Sequence, residues 1–233
     1  MPIDRCSALW NCAGLFIFGL LGAPNFIEAS EPMTIVAMGD STTAGTPAFR
    51  SPVESPPNGS GDKKSQYAYW MMLKHPEWKV LNRGIRGQRS DQIRKRLEAD
   101  LIEFHPQVLI VLAGVNDLYQ GHSVKQITDN LAAMYEKGIE KGIQVVACTV
   151  LPYNSMTPEV FSRMKEVNSW IRSRAETRHL GFCDLYSAGE NPRHPGNLIG
   201  SPDGLHPDVD GYRRMGEALT EVLEKFTNHS PAG

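Results

Sequence analysis

A serine follows a short apolar run near the start of the chain, in the segment Gly39-Asp40-Ser41-Thr42-Thr43. The run itself, residues 34–38 (TIVAM), has no polar alternation, which is typical of a strand buried on both faces. Because Gly39 allows a sharp turn where the strand ends, the hydroxyl of Ser41 is expected to face a cleft at the carboxyl edge of a sheet. A serine in that place can act as a nucleophile, although a turn-capping serine would show the same local pattern.

A nucleophilic serine needs a base, and one of the seven histidines has a suitable neighbour. His206 follows Asp203 by three residues in the sequence SPDGLHP. One turn of chain can bring the Asp203 carboxylate against the ring Nδ1 of His206, which leaves Nε2 free to accept a proton from Ser41. The pattern predicts Ser41 as nucleophile, His206 as general base and Asp203 as its orienting acid, with chance spacing as the alternative.

Two further segments could stabilise the negative charge that builds on a carbonyl oxygen during acyl transfer. Asn116 stands in the sequence GVND at the end of the third apolar run, and its side-chain amide is a hydrogen-bond donor. Gly87 ends the sequence NRGIRG after the second run, where it can offer a bare backbone N–H just before a helix. The alternatives are helix N-capping for Asn116 and Asp117, and simple turn geometry for Gly84 and Gly87.

Together the four segments resemble those of the SGNH (GDSL) hydrolase family, and the similarity runs from residue 34 to about residue 226. The resemblance implies a catalytic triad of Ser41, Asp203 and His206. It also implies a flavodoxin-like sandwich that uses no metal and no organic cofactor. The nucleophile elbow of the α/β-hydrolases is a poorer match, because Thr43 stands where that motif has its second glycine.

The same resemblance implies an oxyanion hole formed by two backbone N–H groups and one side-chain amide. The backbone donors would be Ser41 and Gly87, and the amide would be that of Asn116. Gly87 is chosen because family members place this glycine five residues after the asparagine that matches Asn82, and Gly84 is the fallback.

Short apolar runs and longer segments of helical period alternate along the chain, so their order predicts the elements that position these residues. The predicted strands are residues 34–38, 79–81, 108–113, 144–151 and 181–185. The predicted helices are residues 66–74, 91–104, 123–142, 158–180 and 208–226, the second capped by Ser90. Because parallel strands need helical crossovers, we expect an α/β fold: a three-layer α/β/α sandwich with a mostly parallel five-stranded sheet. Residues 42–64 and 187–203 fit no element and are predicted to be long loops that select the substrate.

The composition is that of an ordinary globular protein without a strong charge. Lys and Arg number 24 against 26 Asp and Glu, for a formal net charge of −2, which argues against binding to a nucleic-acid backbone. No Cys/His spacing typical of zinc and no EF-hand pattern is present in the sequence, so no metal site is predicted. The expected partner is a small-molecule or glycan ester, and the sequence makes no prediction of oligomeric state.

The first residues have the pattern of a secretory signal: Arg5, an apolar run over residues 8–23, Pro24 and then small residues. The sequence predicts a signal peptide at residues 1–29, one hydrolase domain at residues 30–233, and export to the periplasm or the medium. A retained membrane anchor is the alternative, but the apolar run is shorter than the roughly 20 residues that span a bilayer.

Several other residues have an ordinary structural explanation as well as a functional one. Cys148 and Cys183 lie in predicted buried strands, where free thiols are the commoner state, although a bridge between them is the alternative. Arginines near Gly87 could steer an anionic substrate, but a solvated cluster is the preferred interpretation; they are Arg83, Arg86 and Arg89. Five aromatic residues are predicted to pack in the core rather than to form a sugar platform: Tyr67, Tyr69, Trp70, Trp78 and Trp170.

These observations predict an exported serine esterase that forms an acyl-enzyme on Ser41 and hydrolyses short acyl esters, acetyl groups on carbohydrate among them. The alternatives are an O-acyltransferase acting on glycans, in which a sugar hydroxyl intercepts the acyl-enzyme, and a catalytically silent carbohydrate-binding module. The acyl length and the alcohol are not predicted, because the loops that select them have no readable pattern.

Overall fold

The structure is a computed structural model and describes residues 32–227. The main sheet of this part has five strands: β1 Met33–Gly39, β2 Trp78–Gly84, β3 Val108–Leu112, β4 Gln144–Cys148 and β5 Gly181–Cys183. Their spatial order is β2-β1-β3-β4-β5, and every neighbouring pair is parallel. This is the flavodoxin-like order, in which the winding direction reverses between β1 and β3 and ligands bind at the carboxyl ends of these strands.

Helices connect the strands and cover both faces of the sheet. They are α1 Ser41–Ala44, α2 Tyr67–Lys74, α3 Ser90–Phe104, α4 Val115–Tyr119, α5 Val124–Glu140, α6 Pro158–Arg178, α7 Leu185–Gly189 and α8 Val209–Thr227. Side chains of β1 alternate between two apolar clusters, because successive residues of a strand point to opposite faces. Ile35 and Ala37 join the cluster with α2 and α8, whereas Val36 and Met38 join the cluster with α3, α5 and α6. The predicted three-layer sandwich is confirmed.

Two predicted strands are shorter than their apolar runs. The run at residues 144–151 leaves the sheet after Cys148, and the run at residues 181–185 leaves it after Cys183. The second run ends there because Asp184 caps α7, where its carboxylate accepts a hydrogen bond from the Ser187 N–H at 3.2 Å. A polar capping residue therefore ends a strand whose apolar pattern would have allowed it to continue.

The long segment after the first strand contains more structure than its proline content indicates. Besides α1, it holds a two-stranded antiparallel pair, Phe49–Arg50 with Ser60–Gly61, and a turn of 3₁₀ helix at Lys63–Ser65. The Phe49 side chain is buried, and the Ser51 hydroxyl donates to the carbonyl of Gly84 at 2.6 Å. These two anchors fix the segment against the end of β2, so the prediction that residues 42–64 fit no regular element is wrong.

Cys148 and Cys183 occupy paired positions on neighbouring strands β4 and β5, and both thiols are free and buried. The bridge considered from the sequence is therefore not formed. Burial raises the pKa of Cys148 well above the usual thiol value, and the Cys183 thiol beside it adds to the effect.

The predicted signal peptide lies outside the described residues. Within residues 32–227, no helix has both the length and the apolar character needed to cross a membrane.

Candidate active site

Ser41 begins the short helix α1 at the carboxyl end of β1, and two neighbouring residues fix its place. The Asp40 carboxylate caps the helix by accepting a hydrogen bond from the Thr42 N–H at 3.0 Å. A Cβ at Gly39 would lie 2.0 Å from the Thr43 hydroxyl oxygen and 2.7 Å from the Leu112 carbonyl oxygen. Only glycine fits this close turn, which directs the Ser41 side chain to the edge of the sheet.

Ser41 lies in hydrogen-bond contact with a histidine that is 165 residues away along the chain. The Ser41 Oγ is 2.9 Å from the Nε2 of His206, and the His206 Nδ1 is 2.7 Å from an oxygen of Asp203. The structure therefore brings the three side chains together in the order that the sequence analysis expects. In this arrangement the carboxylate holds the imidazole in the tautomer that leaves Nε2 facing the hydroxyl.

Asp203 is held by its own backbone neighbourhood just before α8. Its Oδ1 accepts hydrogen bonds from the N–H groups of Leu205 and His206, each at 2.9 Å. Burial alone would raise the pKa of Asp203, but the hydrogen bonds from the His206 ring and these two N–H groups outweigh it and lower the pKa. The Ser201 hydroxyl also donates to the His206 carbonyl at 2.6 Å, which fixes the backbone that carries the imidazole.

Asn116 and Gly87 line the same cleft as Ser41 and His206. The Asn116 Nδ2 donates to the carbonyl of Gln88 at 2.9 Å, and this contact fixes the amide beside the loop that carries Gly87. Gly87 has a φ of +71°, a conformation that favours glycine, and no atom lies within 4 Å of where its Cβ would be. Within residues 32–227, the N–H groups of Ser41 and Gly87 donate no hydrogen bond, so both remain available in the cleft.

Gly84, the fallback donor, lies inside the fold instead. Its N–H donates to the Asn82 side chain at 3.0 Å, and a Cβ there would lie 2.1 Å from the backbone nitrogen of Ala44. The Asn82 amide in turn donates to Gln66 at 2.7 Å. Gly84 therefore packs β2 against α1, and Gly87 is the glycine that faces the cleft.

Asp117, on α4, joins that helix to the start of α3. Its Oδ2 accepts the Ser90 N–H at 2.8 Å, and its Oδ1 accepts the Ser90 hydroxyl at 2.6 Å. The prediction that Ser90 caps α3 is wrong, because the helix begins at Ser90 and the carboxylate of Asp117 satisfies its first N–H from across the site. Asp117 is thus a capping residue, as one interpretation of the sequence had it, but it caps α3 rather than its own helix.

Asp40 is another acidic residue next to Ser41, and its contacts differ from those of Asp203. It is buried, and burial raises its pKa to about 7, with the charge of Asp117 adding to the effect. One oxygen caps α1, while Oδ2 has no hydrogen-bond partner within the described residues. Asp40 and Asp117 make no hydrogen bond to His206.

The cleft has a volume of about 270 Å³ and is lined by several residues that the sequence analysis did not assign to it. Tyr119, Tyr153 and Leu205 were missed, and only the position of Tyr119, three residues after Asn116 on one short helix, could have suggested its place. Of the three arginines near Gly87, Arg86 lines the cleft. The other two form ion pairs with acidic residues of α3, Arg83 with Asp100 and Arg89 with Asp91.

The five aromatic residues predicted to pack in the core do not line the cleft. Tyr67 is fully buried and donates to the Thr43 hydroxyl at 3.1 Å, a contact that supports α1 from behind.

Among residues 32–227, no group of three or more His, Cys, Asp and Glu side chains is arranged to hold a metal ion.

Comparison with known proteins places this arrangement in a family. Esterase TesA of Pseudomonas aeruginosa is 25% identical over 150 residues, which are 64% of this chain and 71% of that protein. An uncharacterised lipoprotein of Bacillus subtilis, YqeF, is 28% identical over 148 residues, 59% of this chain and 56% of that protein. The solved structure of a mutant of Axe2, an acetyl-xylooligosaccharide esterase from Geobacillus, superposes with a TM-score of 0.67 at 19% identity, covering 82% of this chain and 94% of that one. The family model of GDSL-like lipases and acylhydrolases matches residues 37–214, and the chain belongs to this family.

Proposed function

We propose that this protein is a serine ester hydrolase that acts through an acyl-enzyme on Ser41. The observation that supports the proposal is the continuous hydrogen-bonded series from Asp203 through His206 to Ser41 beside the Asn116 amide. A family of esterases and acylhydrolases is consistent with it.

In the first half-reaction, the Ser41 oxygen attacks the carbonyl carbon of the ester while the Nε2 of His206 takes the hydroxyl proton. The bond between the carbonyl carbon and the alcohol oxygen then breaks, and His206 gives its proton to the departing alcohol. In the second half-reaction, a water molecule attacks the acyl-enzyme, His206 accepts a proton from the water, and the carboxylic acid leaves as the Ser41 hydroxyl forms again.

Asp203 stabilises the imidazolium that exists during both half-reactions. Because hydrogen bonds lower its pKa, the Asp203 carboxylate stays ionised over the neutral range and faces the charged ring at 2.7 Å. The negative charge on the carbonyl oxygen would be met by the N–H groups of Ser41 and Gly87 and by the Asn116 amide. These donors are fixed before the reaction begins, which is the condition under which they lower the barrier most.

The substrate proposed for this site is an ester of a short acyl group. The cleft, at about 270 Å³, is small for a small-molecule site, which favours a compact ester. The acetyl-xylooligosaccharide esterase among the structural relatives makes acetyl the first group to test. The signal-like pattern of residues 1–29 and the lipoprotein relative support a location outside the cytoplasm.

The test is covalent labelling of Ser41 by a fluorophosphonate, followed by hydrolysis of a series of p-nitrophenyl esters from acetyl to palmitoyl. We expect labelling of the native protein, none of Ser41→Ala, and a rate that falls as the acyl chain lengthens. A matched variant, Ser187→Ala on α7, should label like the native protein. Full labelling of Ser41→Ala would contradict the assignment, and product analysis with a sugar acceptor separates hydrolysis from acyl transfer.

A further inference from the structure

Two tyrosines form a corner at one side of the cleft. Tyr119, the last residue of α4, is 65% exposed, whereas Tyr153, in the segment after β4, is 4% exposed. Their ring centroids are 6.0 Å apart with an angle of 65° between the planes, an edge-to-face contact. The buried ring thus fixes the position of the exposed one, whose free face is available beside Ser41 and His206.

Hydrogen-bond donors without a protein partner surround this corner. Neither the Tyr119 hydroxyl nor the Tyr153 hydroxyl makes a hydrogen bond to another residue of the described range 32–227. Burial, together with the neighbouring Tyr119, raises the pKa of Tyr153, so its hydroxyl keeps its proton and remains a donor.

Arg86 supplies the third donor group at the same place. Its backbone N–H and its Nε donate to the two oxygens of Glu54, at 3.0 and 3.3 Å, which fixes the guanidinium and balances its charge. Both of its Nη atoms make no hydrogen bond to any described residue. Because Glu54 already compensates the positive charge, these N–H groups suit a neutral hydroxyl oxygen better than a second anion.

We infer that Tyr119, Tyr153 and Arg86 form a subsite for a neutral sugar ring that carries the ester, a proposal that rests on the function proposed above. A sugar ring has a face of C–H groups that can pack on the free face of Tyr119, and hydroxyls that can accept hydrogen bonds from Tyr153 and Arg86. An aliphatic alcohol would pack on the ring but leave the desolvated donors unpaired, which costs free energy. The subsite therefore selects polyhydroxylated alcohols.

The experiment compares three acetates that differ only in the alcohol: a mono-acetylated methyl glucoside, phenyl acetate and ethyl acetate. Tyr119→Ala removes the platform, Tyr153→Phe removes one hydroxyl, and Arg86→Lys keeps the charge beside Glu54 but removes the planar donor group. The readout is the ratio of kcat/KM for the sugar acetate to kcat/KM for each of the other two acetates. Matched controls are Tyr69→Phe on α2 and Arg94→Lys on α3, which do not line the cleft.

We expect Tyr119→Ala to lower the ratio of sugar acetate to ethyl acetate by roughly five- to tenfold, and the other two variants to lower the ratio of sugar acetate to phenyl acetate by a similar factor. The control variants should change neither ratio. Ratios that stay within about twofold in all three variants would overturn the subsite. A fall for Tyr119→Ala alone would also overturn it, because the corner would then bind any ring.

Failure of the proposed function would have a different result. In that case none of the three acetates would be hydrolysed by the native protein, and the fluorophosphonate would not label it. Failure of the subsite leaves ethyl acetate and phenyl acetate as substrates.

Discussion

Asp117 and Ser90 are joined by two hydrogen bonds, from the Ser90 N–H at 2.8 Å and from its hydroxyl at 2.6 Å. Both residues are buried; Asp117 follows Asn116 on α4, and Ser90 begins α3 just after the loop that carries Gly87. One carboxylate therefore sets the distance between the side-chain donor and the backbone donor of the proposed oxyanion hole, although neither residue of the pair lines the cleft.

Replacing Asp117 with alanine should reduce both stability and turnover. The change leaves the buried N–H of Ser90 without an acceptor, and we expect the free energy of unfolding to fall by about 2–4 kcal/mol. Urea denaturation measures this loss. The exposed Asp129 pairs with Lys125 at the surface, so Asp129→Ala is a suitable control and should change stability by less than about 1 kcal/mol. Equal effects of the two substitutions would contradict the role given to Asp117.

Replacing Asn116 with alanine should lower kcat by about 10²–10³-fold, because one of the three proposed donors to the oxyanion is lost. The loss should be in kcat more than in KM, since the donor matters most when the oxygen carries a full negative charge. Steady-state kinetics with an acetate ester measure both constants. Asn116→Asp keeps the size of the side chain but places a negative charge beside the oxyanion, so it should be at least as harmful. A loss below tenfold in both variants would mean that the amide does not face the reacting oxygen.

Asp40 should make the fold less stable as the pH rises. Its pKa is raised from an unfolded value near 3.8 to about 7, so ionisation is less favourable in the native protein than in the unfolded chain. The contribution of Asp40 to stability is therefore complete below about pH 4 and is lost progressively up to about pH 7, by a few kcal/mol at most.

Asp40→Asn tests this dependence, because asparagine keeps an acceptor for the Thr42 N–H and cannot ionise. As the pH rises from 5 to 8, the variant should become increasingly stable relative to the native protein. Urea denaturation at each pH measures this difference. If the unfolding free energies of the variant and the native protein differ by the same amount at pH 5 and at pH 8, the carboxyl of Asp40 does not have a raised pKa.

His75, at a site far from the cleft, should also make the fold less stable as the pH rises, but here the loss follows from the ring losing its positive charge. Its ring nitrogens lie 2.7 Å from Glu77 and 2.9 Å from Glu224, and the ring stacks on Trp78 at 4.0 Å. Burial lowers the pKa of His75, but the hydrogen bonds to Glu224 and Glu77 outweigh it, so the pKa is raised. The stabilisation is fully present below the unfolded pKa and is lost as the pH rises through the higher folded value.

His75→Gln should therefore destabilise the protein more at pH 5.5 than at pH 8.5, both in thermal unfolding and in urea. His194→Gln, at an exposed residue of the loop before α8, is the control and should show no such difference. An equal loss of stability for His75→Gln at pH 5.5 and at pH 8.5 would show that the ring contributes only its packing on Trp78.

The layers of the fold could be predicted from the sequence because strands and helices each show a pattern among residues that are close together in the chain. Residues 35–38 of the first run have no polar side chain to leave on a solvated face, so they form a strand buried on both sides. The spacing of Asp203 and His206 likewise needs only one turn of chain to bring the carboxylate to the ring.

The ends of elements and the structured part of the segment after β1 could not be predicted in the same way. The strand at residues 181–185 is cut short by a cap at Asp184, and the proline-rich segment is held by the contact between Ser51 and Gly84. The end of the strand depends on one capping residue, and the contact between Ser51 and Gly84 joins residues that the sequence pattern does not connect.

By itself, the sequence determined the class of fold and the identity of the residues proposed for the triad, because periodic burial and short spacings are properties of neighbouring residues. Only the tertiary structure decided that Gly84 packs against α1, that Asp117 caps α3, and that Tyr119 meets Tyr153 beside Ser41. These relationships join residues from separate loops at the carboxyl edge of the sheet. Their geometry follows from the order in which the strands pack, and no local pattern contains that order.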